Sequence, residues 1–364
     1  MRHPLQHLTV ISFMRCLNPY ISQLDPKLHS FDYVRQKSPF LLTTILSTSS
    51  KAFHPSLHPA LRSHSEKLLG EAFVQGIKST ETVQAICIFT YWKEPDEIRT
   101  WLLVGYAIRI CIELGWHELE PGRVGHDESS SRERRNIERT WLVLFVYDRR
   151  YFVFSVFCSQ ADILSLSLQL GKPWMIDQTE FILNADSWCS GDYAVPGGDL
   201  VLSSFVSLRR TSAETLQLAS PSKTVFAGLH GEMLSKILNS GITTWEATWL
   251  PRFDHGRSQV STVCIKISKS PVDDVAPCHR FLVNFYGLHL RLLLNSYSLQ
   301  TSLANATKPS SISKSALWLC ASSAIGMLEQ ISDKFGPFKQ LYFVQDSIHV
   351  MVAYAAIFLI KVMI

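Results

Sequence analysis

The chain has 364 residues, 46% hydrophobic and 18% charged, which excludes a disordered polymer and allows a large core. Its formal net charge is only +4, and Lys and Arg are scattered among Asp and Glu. That pattern excludes the basic stripe by which a chain grips nucleic acid.

Residues 1–16 make a poor signal peptide, with Arg2 and Arg15 on either side of a short, His-interrupted apolar run. Asp25-Pro26, Ser38-Pro39 and His54-Pro55 then punctuate short segments, with an apolar helix expected over residues 40–46. Pro59 suits the first turn of the next helix.

Three helices, each carrying a Trp, follow in quick succession over residues 82–92, 101–117 and 133–148. Ser79 is the expected N-cap of the first, with Glu81 at the positive end of the helix dipole. Pro95 stops that helix and Asp96 is placed to cap the next, where Trp101, Val104, Ile108, Cys111 and Ile112 share an apolar face. Gly115 is its C-cap, because Gly adopts a left-handed conformation without a steric cost. Ser130-x-x-Glu133 reads as a capping box for the third helix. Ile137, Trp141, Leu144, Phe145 and Asp148 share its core face, and Arg134, Arg135 and Glu138 fall on others. Trp101 and Trp141 are expected to be core anchors.

Beyond Asp148 the pattern weakens, and residues 184–199 read as loop. Helical spacing returns over residues 200–218, 225–249, 281–299 and 315–331, with a polar connection over 251–277. The last run, 348–364, is apolar but interrupted by His349 and Lys361, and is shorter than the ~20 residues a membrane span needs. It reads as a buried core helix. Asn305-Ala-Thr307 is a glycosylation sequon by spelling only. No strands alternate with helices, so the expected fold is all-α, a large multi-helix array with one extended hydrophobic core.

Catalytic and metal signatures are lacking. The eight Cys form no Cys-x-x-Cys pair and read as buried free thiols in a reducing compartment. His117-Glu118 has no second His, and Pro121 would break the zinc-protease helix. Gly171-Lys172 lacks the upstream Gly of a phosphate loop. Asp148 reads as a structural partner for an Arg such as Arg109 or Arg149. The chain is read as no enzyme, with no cofactor and no membrane partner.

The central residues do carry a resemblance. A Thr82-Val83-Gln84-Ala85 helix is followed by Trp101, Gly105, Ala107, Arg109, Leu114, Gly115 and His117. Then come Glu133, Arg139, Trp141, Asp148 and Arg149, and finally Gly171, Lys172 and Pro173. In type and order these residues resemble the fungal-specific transcription factor domain, the middle homology region of zinc-cluster regulators. The resemblance implies an all-helical, nuclear regulatory domain over residues 17–364, most diagnostic over 80–176. Such a domain senses effectors or restrains activation in control of RNA polymerase II transcription. Gln84, Trp101, Gly105, Arg109, Gly115, His117, Arg139, Trp141, Asp148, Arg149, Gly171 and Pro173 become architectural positions, none catalytic, cofactor-binding or metal-binding. Members of that family bind DNA through a head holding zinc on six Cys, which this sequence lacks. DNA contact is therefore expected only through a missing head. A small-molecule effector, a co-regulator and a homodimer are the other partners in view. The rival readings are a headless interaction protein and a helical enzyme of unrecognised type.

Residues 151–165 depart from the family pattern. They are rich in Tyr, Phe and Val, a β-prone run in a helical neighbourhood. Removing them joins Arg150 to Leu166 in a junction that resembles the family's passage, and the genetic code permits codons carrying splice signals at both ends. The segment is expected to be a translated, unspliced intron. Sequencing of the messenger RNA should give a mature transcript without these codons. A transcript that keeps them, with a deletion protein that fails to fold, would reverse that expectation.

Overall fold

The computed structural model describes residues 3–122, 127–158, 174–218, 231–255, 276–304, 314–334 and 343–363. The chain opens with α1 (His3–Ser12), a π-helical stretch over Phe13–Leu17 and the short α2 (Asn18–Ile21). Serine caps set the next starts. Ser30 and Ser38 accept the N–H groups of Tyr33 and Leu41 and open α3 (Phe31–Lys37) and α4 (Pro39–Phe53). Then follow α5 (His58–Val74), α6 (Thr80–Tyr91), α7 (Thr100–Glu113) and the long α8 (Glu128–Cys158). Short α9 (Glu180–Leu183) and α10 (Ala185–Trp188) lead to α11 (Gly198–Leu218), α12 (Gly231–His255), α13 (Ala276–Ala304), α14 (Lys314–Lys334) and α15 (Asp346–Met363). No strand occurs among the described residues, so the array is all-α as its periodicity predicts.

Helix α4 packs on α5 and α6, α6 on α7, and α8 on α6, α7 and α11. Downstream, α11 packs on α12, α12 on α13, α13 on α14 and α14 on α15. Buried side chains form one cluster around Phe89, Trp141 and Phe145 and another around Trp249, Phe281 and Phe285. Trp188, Phe205 and Phe343 pack against both, which joins them into one extended core with two lobes. The chain's two halves are also stitched directly. Gln345 Nε2 donates to the Tyr20 carbonyl at 2.6 Å, and Trp92 Nε1 donates to the Phe343 carbonyl at 3.3 Å.

Several local expectations hold. Ser79 caps α6 by accepting the Thr82 N–H, and Gly115 follows α7 with φ of 77°. Others are corrected. The cap of α8 lies three residues earlier than Ser130-x-x-Glu133: Asp127 Oδ1 accepts the Ser130 N–H, and Ser130 Oγ accepts the Asp127 N–H. Asp96 does not cap α7; the N-cap position is Arg99, without a side-chain cap, and Glu97 accepts the Arg99 N–H at 2.7 Å just before the helix. Trp101 is half-buried and Ile112 exposed, while Trp116 occupies the core beside α7. Arg135 and Glu138 are buried on α8, because that helix is enclosed on its polar side too.

Pro251 was expected to open a connection, yet α12 continues through it to His255. Trp249, Leu250 and Phe253 pack on the second lobe. Burial of such side chains, about 1.5–3 kcal/mol each, offsets the ~3 kcal/mol a helical Pro costs. The last run is not a buried core helix. Only 22% of α15 is buried, on the face of Ile348, Met351, Ala355 and Phe358. Its length and hydropathy would suffice to cross a membrane. Of residues 151–165, the backbone to Cys158 continues α8 as helix; the rest lie outside the described residues, as do Asn305 and Thr307.

Trp141 is 1% exposed at the middle of the first lobe. Trp141→Ala should lower stability by about 3–5 kcal/mol through lost burial and an unfilled cavity. Urea denaturation reads the loss, and an unchanged midpoint would contradict this placement.

Candidate functional site

Asp199 sits in the first turn of α11, just after the Gly197-Gly198 pair, and is 0% exposed. Its carboxylate receives two guanidinium groups from successive turns of α8. Arg139 Nε donates to Oδ1 at 2.7 Å and Nη2 to Oδ2 at 3.0 Å. Arg135 Nε and Nη2 reach Oδ2 at 3.1 and 3.0 Å. The Val195 N–H completes the ring at 3.0 Å. Arg135 also donates to the Trp188 carbonyl at 2.7 Å, and its guanidinium carbon lies 4.1 Å from the Trp188 ring centroid. The Trp188 indole N–H goes back to α8, to Glu138 Oε2 at 2.9 Å. Two cations share one carboxylate, with no water path needed to explain them. This is a clamp, and it offers no group free to accept or move a proton.

A second buried polar node lies one turn away on α8. Gln84 Nε2 donates to Asn136 Oδ1 at 2.7 Å and to Thr140 Oγ1 at 3.1 Å. The Gln84 side chain also interacts with His29. Burial and the Arg139 charge push His29 down to about 4, against the pull of the Asp25 carbonyl, so it is neutral near pH 7. Asp25 in turn binds Arg132 Nη1 at 2.9 Å.

A third node lies further along α8, at Asp148 and Arg149. Asp148 Oδ2 accepts the N–H groups of Met175 and Ile176 at 2.9 and 3.1 Å. Burial still raises its pKa, outweighing those two donors. Arg149 donates to the Ile176 carbonyl at 2.9 Å and stacks on Phe145 and Trp174. Burial lowers Arg149 to about 10.

The twelve signature positions therefore divide. Gln84, Arg139, Trp141, Asp148 and Arg149 are buried members of these nodes or of the core. Gly105 lies under Met175, with an added Cβ 3.6 Å from its sulfur, so it meets the segment that Asp148 holds. Asp148 was expected to pair with an Arg such as Arg109 or Arg149; its charge is attracted by that of Arg149, while its hydrogen bonds go to the backbone of Met175 and Ile176. Arg109 is exposed, and its Nη1 reaches the Gly105 carbonyl of its own helix at 3.5 Å. Gly115 provides the left-handed turn after α7, and His117 lies at the surface beside Glu118. Gly171 and Pro173 fall outside the described residues. The reading from sequence missed Asp199, Arg135, Trp188, His29 and Asn136. The available signal was the i, i+4 spacing of Arg135 and Arg139, which puts two cations on one face.

Where the two lobes meet, Tyr20, Tyr91, Val146, Phe205, Tyr286 and Gln345 line a cavity of about 20 Å³. That is room for about one water molecule. Among the described residues, no group of three His, Cys, Asp or Glu side chains is placed to hold a metal ion.

Protein priB of Lentinula edodes is 33% identical over 355 residues, covering 96% of this chain and 53% of that protein. The transcriptional activator of proteases prtT of Emericella nidulans is 23% identical over 341 residues, covering 90% of this chain and 46% of the activator. The chain thus spans about half the length of the curated relatives it matches. It is homologous to a fungal transcriptional activator. No family model matches the chain. No solved structure matches it either.

The clamp makes a sharp expectation. Asp199→Ala strands two buried guanidinium groups and should cost about 3–5 kcal/mol in chemical denaturation. Lys37→Ala removes an ion pair whose side chains are half exposed and should cost under ~1 kcal/mol. Equal, small losses for the two variants would show that the buried clamp is not a stabilising element.

Proposed function

We propose that this chain is the regulatory part of a fungal zinc-cluster transcription factor, acting in the nucleus on RNA polymerase II transcription. The observation that carries the reading is homology along 90% of the chain to a transcriptional activator. The all-helical architecture and the buried signature residues Gln84, Arg139, Trp141 and Asp148 support it. A separate zinc-bearing head supplies the DNA contact. This chain has no catalytic chemistry of its own in this reading.

Effector sensing fits the lobe junction best. The cavity there is about 20 Å³ as it stands, far below the ~300–1,000 Å³ of a small-molecule site. An effector would therefore act by opening the junction, so that binding and lobe movement are one event.

The test inserts the chain between a heterologous DNA-binding head and an activation domain in a fungal reporter strain. Reporter output several-fold below the head–activator fusion alone is expected. Output that the insert leaves unchanged would overturn the restraining role. The isolated chain should show no sequence-selective DNA binding near physiological salt, because a net charge of +4 offers few phosphate contacts. Selective sub-micromolar binding would overturn the separate-head reading.

A further inference from the structure

The cavity at the lobe junction has a chemical character of its own. Leu202, Phe205 and Arg209 follow one another at steps of three and four residues, so a single face of α11 lines it. Tyr20, Tyr91 and Tyr286 make up much of the remaining wall. Arg209 is the one charged side chain in that lining among the described residues, and it is 6% exposed. No Asp or Glu lines the cavity among the described residues. The carboxylate one turn before Leu202 on the same helix, Asp199, already holds Arg135 and Arg139.

Charge decides which ligand such a wall accepts. A cationic ligand would meet Arg209 with no acidic lining residue to offset the repulsion. A neutral apolar ligand would press groups that accept no hydrogen bond against a guanidinium already kept from water. A phosphate ester carries close to two negative charges, and the lining offers one cation. A carboxylate matches in both charge and shape, since its two oxygens accept parallel N–H groups from the planar guanidinium fork. The aromatic and aliphatic rest of the wall favours an apolar body behind that carboxylate.

We propose that the effector is a small organic carboxylate with an apolar body, its carboxylate held by Arg209 and its body between the aromatic walls. The assignment rests on the lobe junction being the sensing site. The cavity is also in touch with the clamp. Ser22 lines it and lies against Gly198, with Ser22 Oγ 3.6 Å from where a Cβ on that glycine would sit. A ligand that displaces Ser22 therefore acts on the turn that carries Asp199.

Thermal denaturation of the full chain tests the carboxylate with phenylacetate, benzoate and hexanoate, each as its sodium salt at about 10 mM. Equimolar sodium chloride, phenylacetamide and phenethylammonium chloride are the comparisons. At least one carboxylate should raise the midpoint by about 2 °C, and the comparisons should not. Arg209→Gln should abolish the shift. Arg209→Lys, which keeps the charge without the fork, should weaken binding several-fold. The acid–amide comparison is made on the parent chain, so it holds even where a variant fails to fold. Three carboxylates without effect, or matched by the amide or the ammonium, overturn the assignment, and so does a shift that Arg209→Gln leaves intact. The junction's role as sensor is tested separately in the reporter strain, where Phe205→Ala, which enlarges the cavity, should raise the restrained output about twofold or more. Output unchanged by Phe205→Ala, with a carboxylate still bound through Arg209, upholds the carboxylate site and overturns the junction as sensor.

Discussion

The architecture depends on one buried carboxylate. Asp199 holds Arg135 and Arg139 of α8 at the first turn of α11. Helix α11 belongs to both lobes: Leu202 and Val206 face the first cluster, Val201 and Leu208 the second. The clamp therefore fixes the shared helix to the central one. Burying three charges is costly, and well-packed apolar residues of the same volume are often no less stabilising. What the ion pairs add is geometry. A bidentate guanidinium–carboxylate contact allows one relative rotation and height of two helices, where an apolar surface allows several. Arg139 is 1% exposed and its Nη1 has no hydrogen-bond partner among the described residues, which marks how much desolvation the clamp tolerates.

The same logic repeats along α8. Arg132 binds Asp25, Asn136 and Thr140 bind Gln84, the Arg135–Arg139 pair binds Asp199, and Asp148 with Arg149 holds the backbone at 175–176. These contacts reach into four separate stretches of chain. Each crosses at least 27 residues of sequence, and the Arg132–Asp25 contact crosses 107. A helix studded with buried polar partners is thus the strut on which the first lobe assembles. Such networks specify a fold because a shifted register leaves several buried groups unsatisfied at once.

That pattern also explains what was legible in the sequence. Caps and stops are local, so Ser79, Gly115 and the apolar face of Trp141 could be read directly. The resemblance singled out Gln84, Arg139, Asp148 and Arg149, but not what they touch, because their partners are distant in the chain. Periodicity put Arg135 and Glu138 on outward faces, since it assumes that polar residues meet water. Here they meet Asp199, Arg134 and Trp188 instead. The assumption fails in the opposite sense on α15, where an apolar outer face reads as core although it is exposed. Composition says which residues avoid water; only the neighbouring helices decide which of them succeed.

Under the proposed regulatory role, the clamp and the lobe junction are mechanically linked. Asp199 occupies the first turn of α11, and Leu202 and Phe205, one and two turns later, line the junction cavity. Any shift of α11 large enough to enlarge that cavity acts on the Asp199 contacts. Those bonds lie between 2.7 and 3.1 Å, and their strength falls steeply with misalignment. The junction cannot widen gradually while both guanidiniums stay paired. An effector-driven opening of the junction would therefore require the clamp to rearrange, the discrete two-state behaviour of packed interfaces. Switching such an element from about 1% to about 99% open takes roughly 5.5 kcal/mol of differential binding. An effector would draw that from apolar contact with the aromatic walls of Tyr20, Tyr91, Phe205 and Tyr286, of which Phe205 and Tyr286 pack on each other with ring centroids 4.8 Å apart.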